Sequence, residues 1–169
     1  MMSDSNNALA SLSKRNGYLH GTFTRSFTHG QQTVWNLLTN PQRYGEWLAP
    51  GAIELKTGGA VKLTFPGSGT VIDSIVSAYE PPRLIEYSWS SPGQPNRPVR
   101  WVLAAKDGGT QITLTVSVPD AEDIARTCAG WEAHLAMLQA ALADAPIPFP
   151  FELFKSTRET YKGKAVGLV

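Results

Sequence analysis

The sequence predicts an α+β domain: a curved antiparallel sheet wrapped around one long helix, with two short helices after the first strand. Three observations lead there. Between residues 53 and 118 apolar side chains recur with a period of two, in short runs separated by Gly and Pro clusters. From Asp120 to Asp144 the period changes, and Ile124, Cys128, Trp131, Leu135, Leu138 and Leu142 fall on one side of a helix. About 23 helical residues span roughly 35 Å, enough to cross a small domain, so the oily side needs a broad partner such as a sheet.

Taken in order, Met1 to Asn16 is rich in Ser and Asn and reads as a flexible N-terminus, too short and interrupted for a signal-peptide core. Gly17 to Phe27 reads as the first strand, with Leu19, Phe23 and Phe27 toward the core. Thr28 stands three residues before Gln31, the spacing of a capping box, and the following helix turns Val34, Trp35, Leu37 and Leu38 inward. Asn40-Pro41 then starts a second short helix reaching about Trp47, because Pro at the first helical position loses no hydrogen bond.

Ile53 to Thr57 and Ala60 to Phe65 flank Gly58-Gly59 and read as a hairpin. Further strands are expected over Thr70 to Tyr79, Leu84 to Trp89, Val99 to Lys106 and Thr110 to Val118. Ile112, Leu114, Val116 and Val118 alternate with Gln111, Thr113, Thr115 and Ser117, one buried face and one wet face. Asp120 is the expected cap of the long helix, with Glu122 and Asp123 favoured in its first turn by the helix dipole. Gly130 is anomalous inside a helix, where glycine costs about 1 kcal/mol relative to alanine. The domain is expected to run from residue 17 to 144. The remainder, 145–169, carries Phe149, Phe151, Leu153 and Phe154 and reads as a proline-rich tail, packed on its own domain or serving as an arm or lid.

Composition narrows the function. A net charge of +1 with scattered Lys and Arg argues against nucleic acid. No stretch approaches the ~18 apolar residues of a membrane span, and no basic amphipathic helix marks a membrane surface. A single cysteine rules out an internal disulfide framework and fits a cytoplasmic location. His20 and His29 have no Cys or carboxylate at ligand spacing, so neither a metal nor a cofactor is expected. Cys128 falls in the apolar stripe and reads as core, not as a nucleophile. Five tryptophans are the stronger signal, since large rings supply rigid pocket walls.

The order of Phe23 to Phe27, Val34-Trp35, Asn40-Pro41 and Trp47 resembles the opening of the START-like (SRPBCC) superfamily. Gly58-Gly59, Tyr79-Glu80-Pro81-Pro82-Arg83-Leu84-Ile85, Trp89, Gly108-Gly109-Thr110 and Gly130-Trp131-Glu132 continue it. They are most similar to the family named for the activator of the heat-shock-protein ATPase. The resemblance covers roughly residues 17 to 143. It implies a helix-grip fold around an internal cavity and carries no universal catalytic residues; the fold hosts ligand carriers, cyclases, lyases and co-chaperone domains.

The expected site therefore lies between sheet and helix, lined by Trp131, His134, Leu135 and Leu138 from the helix and by Tyr87 and Trp89 from the sheet. Asp73 and Arg100 are its candidate polar groups if they face inward. The expected function is binding of a small apolar molecule, aromatic or lipid-like. The alternatives are a cyclase or dehydratase using His134 with Asp73 or Arg100, and a protein-interaction module of co-chaperone type. A homodimer through the tail is the expected protein contact if the tail is an arm.

Overall fold

The computed structural model describes residues 8–168. Eight strands form one antiparallel sheet: β1 (Ser11–Arg15), β2 (Tyr18–Phe27), β3 (Gly51–Ile53), β4 (Ala60–Thr64), β5 (Val71–Glu80), β6 (Leu84–Ser88), β7 (Pro98–Lys106) and β8 (Gly109–Pro119). Their order across the sheet is β1-β2-β8-β7-β6-β5-β4-β3, so β7 and β6 are at its centre, β2 pairs with β8 toward one edge, and the sheet stays open. Two short helices, α1 (Gln31–Thr39) and α2 (Tyr44–Trp47), carry the chain from β2 to the far edge. The long helix α3 (Ile124–Leu142) follows β8, and a further helix α4 (Phe151–Ala165) packs along it. The architecture is the expected α+β helix-grip arrangement.

The apolar stripe of α3 behaves as its spacing requires: Ile124, Cys128, Trp131, Leu135, Leu138 and Leu142 are all buried. Opposite them the sheet presents Phe23, Val76, Ile85, Tyr87, Val99, Trp101, Ile112, Leu114 and Val116. The centre is aromatic. Trp101 meets Trp47 at 5.6 Å and Trp131 at 5.9 Å between ring centroids, both edge to face, the arrangement that ring quadrupoles prefer. Their polar edges are satisfied: Trp47 Nε1 donates to the Leu37 carbonyl at 2.9 Å and Trp101 Nε1 to the Tyr87 hydroxyl at 3.3 Å.

Helix starts differ from expectation. Glu122 N donates to the Pro119 carbonyl, closing a turn that delays α3. Asp123, not Asp120, is the cap, its carboxylate accepting from Arg126 N at 3.1 Å. Thr28 does not cap α1; Gly30 occupies that position, and the Gln31 side chain donates to the Pro82 carbonyl instead. Asn40 does accept from Gln42 N at 2.9 Å, but it holds a turn, and α2 begins only at Tyr44.

The two ends of the chain carry the larger corrections. Part of the segment expected to be flexible, residues 11–15, is β1, hydrogen-bonded to β2 through a turn at Asn16-Gly17 with φ values of 54° and 79°. Residues 1–7 lie outside the described ones. The tail, expected as a strap or an arm, forms α4 and a short 3-10 turn after the prolines, so α3 is not the C-terminal helix. A buried polar cluster ties both ends to the core. Arg25 on β2 makes a bidentate pair with Glu132 of α3, both bonds 3.0 Å, with side chains only 5% and 12% exposed. Tyr161 of α4 donates its hydroxyl to Glu132 at 2.9 Å and accepts from Ala10 N at 2.7 Å. Every member has a partner, as a buried charge demands.

Candidate ligand cavity

The N-terminal half of α3 packs one face into the core and borders open space with another. There a cavity of about 1000 Å³ opens between the sheet, the helix and the tail. Its sheet side is the β4–β5 loop with Phe65, then Ile72 and Trp89. The β6–β7 loop adds Gln94 and Arg97. Helix α3 contributes Arg126, Thr127, Gly130, Trp131 and His134, residues one, four, five and eight apart that share a face. The last wall is Phe149, Phe151 and Phe154, from the linker and first turn of α4.

The inner end is a box of rings. Trp89 meets Trp131 edge to face at 4.9 Å and Phe65 at 5.9 Å. The His134 ring is enclosed by Trp131 at 5.4 Å, Phe149 at 5.6 Å and Phe65 at 6.0 Å. His134 Nδ1 lies 2.9 Å from the Trp47 carbonyl, which can only accept. Nδ1 therefore carries the proton and Nε2 is the ring's acceptor. Burial holds the His134 pKa below its ordinary value; the bond to Trp47 opposes this in part. The ring is thus a neutral acceptor set in an apolar wall.

The mouth is charged. Arg97 grips Glu122 with bonds of 2.7 and 2.9 Å and also donates to Gln94. Asp123 caps α3 and pairs with Arg158 of α4 at 3.2 Å, contacts that hold its carboxyl below the usual range against the opposing effect of burial. Arg126 is exposed, and its guanidinium is in no ion pair among the described residues.

Of the residues expected to line the site, Trp131, His134 and Trp89 do so. Leu135, Leu138 and Tyr87 do not: they belong to the packed core beneath Trp101 and Trp47. The reason is rotation about the helix axis. The stripe through 131, 135 and 138 faces the sheet, whereas the stripe through 126, 130 and 134 faces the cavity. Asp73 and Arg100 lie on the outer face of the sheet, paired with Lys62 and Glu86 respectively. Asp73 shares its face with Val71 and Ile75 as alternation requires, but those are exposed, Ile75 by 59%. Phe65, Arg97 and Arg126 were not anticipated as walls, and the tail phenylalanines only under the reading of the tail as a lid. The crowding of aromatics after residue 148 and the anomalous Gly130 were the available signals.

Gly130 is not explained by tight packing or by close approach to the sheet: a Cβ built there meets nothing within 4 Å, because the position faces the cavity. Cys128 is on another face, and a Cβ on Gly21 of β2 would come within 2.6 Å of its Sγ. Burial pushes its thiol pKa up to about 12, which removes it as a nucleophile. Among the described residues no group of three His, Cys, Asp or Glu side chains could hold a metal ion. Nor is any helix among them long and apolar enough to cross a membrane.

Comparison with known proteins agrees with the fold. No curated protein matches the sequence. Among solved structures, CalU16 from Micromonospora echinospora is 21% identical, with 91% of this chain and 95% of that one covered at a TM-score of 0.76. EF2215 from Enterococcus faecalis, described as a conserved protein of unknown function, is 18% identical over 98% and 95% at a TM-score of 0.80. A protein encoded by gene BPP1335 of Bordetella parapertussis is 22% identical over 96% and 94%, with a TM-score of 0.69. At these identities the likeness is one of fold. Residues 29–143 match the model of a sequence family, well over half of the chain. The chain belongs to that family, the Activator of Hsp90 ATPase homolog 1-like proteins of the START-like superfamily.

Proposed function

We propose that the protein binds a small, largely apolar molecule, aromatic or lipid-like, in the cavity walled by the β4–β5 loop, α3 and the start of α4. The carrying observation is the cavity itself. Six rings, those of Phe65, Trp89, Trp131, Phe149, Phe151 and Phe154, line about 1000 Å³ of space. That is the upper end of the range for small-molecule sites, about 300–1000 Å³. Each 100 Å² of apolar ligand surface buried there contributes roughly 2.5 kcal/mol before the cost of association.

A cyclase or dehydratase pairing His134 with Asp73 or Arg100 is not supported, because both partners point away from the cavity. An interaction role for the tail has less support than a wall role, since α4 packs along α3 of its own chain and is pinned through Tyr161.

Two measurements test the binding reading. Native mass spectrometry of the purified chain reports any retained small molecule and the number of subunits. Tryptophan fluorescence reports titration with apolar aromatics and fatty acids, because Trp89 and Trp131 stand in the wall. Saturable quenching that is lost in Gly130→Leu, whose side chain grows into the cavity, supports the reading. An unliganded protein unresponsive across the panel refutes it.

A further inference from the structure

The polar lining that α3 gives the cavity is Arg126 and Thr127 at the mouth and His134 at the inner end, and the two ends differ in kind. Arg126, Gly130 and His134 are successive residues of one face, each four apart, and all three line the cavity. Arg126 and His134 are separated by eight residues of helix, about 12 Å. At the inner end His134 offers Nε2, an acceptor, because Nδ1 is committed to the Trp47 carbonyl. A carbonyl or carboxylate placed there would face a lone pair; a hydroxyl or N–H would donate to it. At the mouth the charges have partners except one. Arg97 is paired with Glu122, and Asp123 with Arg158, whereas the Arg126 guanidinium is in no ion pair within 4 Å among the described residues. Between the two ends Gly130 projects no side chain, and the apolar lining is Trp131 of the same helix with Trp89 and Phe149.

We propose that the ligand is an elongated amphiphile lying along α3: a hydroxyl or N–H donor at His134, a flat apolar body over Gly130, and an anionic group at Arg126. The assignment rests on the cavity being a ligand site, and deepens it by fixing the ligand's polarity and direction. The inner donor contributes through a hydrogen bond shielded by rings, which are the conditions under which such a bond is worth most. The outer anion is held at an exposed cation, so its contribution is smaller and falls with salt.

The test uses four probes sharing one body: biphenyl, hydroxybiphenyl, and hydroxybiphenyl and methoxybiphenyl each carrying a carboxylate at the opposite para position. Binding to the full chain is followed by calorimetry, with Arg126→Gln as the variant; the residue is exposed and its loss leaves the fold unchanged. The hydroxy acid is expected to bind tightest. Replacing hydroxyl by methoxy removes the donor and weakens binding about threefold to tenfold. Removing the carboxylate weakens it about twofold to fivefold, less at high salt. In Arg126→Gln the advantage of the acid over hydroxybiphenyl disappears, while hydroxybiphenyl itself binds as before. Equal binding of hydroxyl and methoxyl acids, or an acid advantage that survives in Arg126→Gln, overturns the assigned direction and leaves the cavity reading standing. No binding by any probe, biphenyl included, counts against the cavity reading and takes the direction down with it.

Discussion

Gly130→Ala is the simplest perturbation that the cavity makes unusual. In a filled core a glycine inside a helix is there because something leans on it, and adding a methyl is harmful. Here Gly130 lies within α3, its φ is not positive, and a Cβ at that position meets no atom within 4 Å. The steric cost is therefore nil, and the intrinsic preference of the helix for alanine over glycine remains, about 1 kcal/mol. For a chain of this length that corresponds to a rise in Tm of about 2–4 °C. Urea unfolding checks it: the midpoint should move up with the slope unchanged. A loss of stability, or an altered slope, would refute the reasoning, since it would mean that the helix face at 130 is closed. A fold that forgoes this stabilisation keeps space at 130, and that space is where the ligand body is placed.

Three further predictions concern contacts elsewhere. Gly21→Ala pushes a methyl to 2.6 Å from Cys128 Sγ and should cost about 1–3 kcal/mol. In the double variant with Cys128→Ala the two effects should fall short of additive by more than about 0.5 kcal/mol, whereas strict additivity would deny the contact. Glu132→Ala leaves Arg25 buried without its counter-ion and should cost about 3–5 kcal/mol in chemical denaturation; a loss under about 1 kcal/mol would contradict the buried pair. His134 has a folded pKa below its ordinary 6.5, so between the two values the unfolded chain holds the extra proton. Its contribution is present in full above pH 6.5 and is lost as pH falls below that, through the folded value. Thermal melts from neutral pH to about 5 should show this decline in the wild type and a flatter course in His134→Gln; identical profiles would place the ring in water.

What could be read from the sequence divides along physical lines. The α3 stripe and the β8 alternation were legible because both elements bury one face completely, and burial imposes a period. Alternation groups Asp73 with Val71 and Ile75, but it does not say which group faces in, and on β5 apolar residues occupy both faces. The bulge between Val76 and Ala78 then shifts the register along the same strand. Strand β1 is almost wholly exposed, so it carries little pattern, although Asn16-Gly17 is the dipeptide of a tight hairpin. Helix α4 is anchored by a single fully buried residue, Tyr161, and a largely polar sequence following three prolines gives no stripe to read. Arg25 could not be recognised as buried because its partner, Glu132, lies 107 residues away.

One wall of the cavity sits apart from the others in the chain. The stretch that defines the family ends at residue 143, and Phe149, Phe151 and Phe154 come after it. The grip of sheet on helix is thus common property, while part of the shape that a ligand meets is written in a short appendix, held on by Tyr161 and Arg158. Exchanging that appendix alters what fits without redrawing the sheet. A chimera carrying another member's C-terminal segment becomes a way to move selectivity between proteins that share little else.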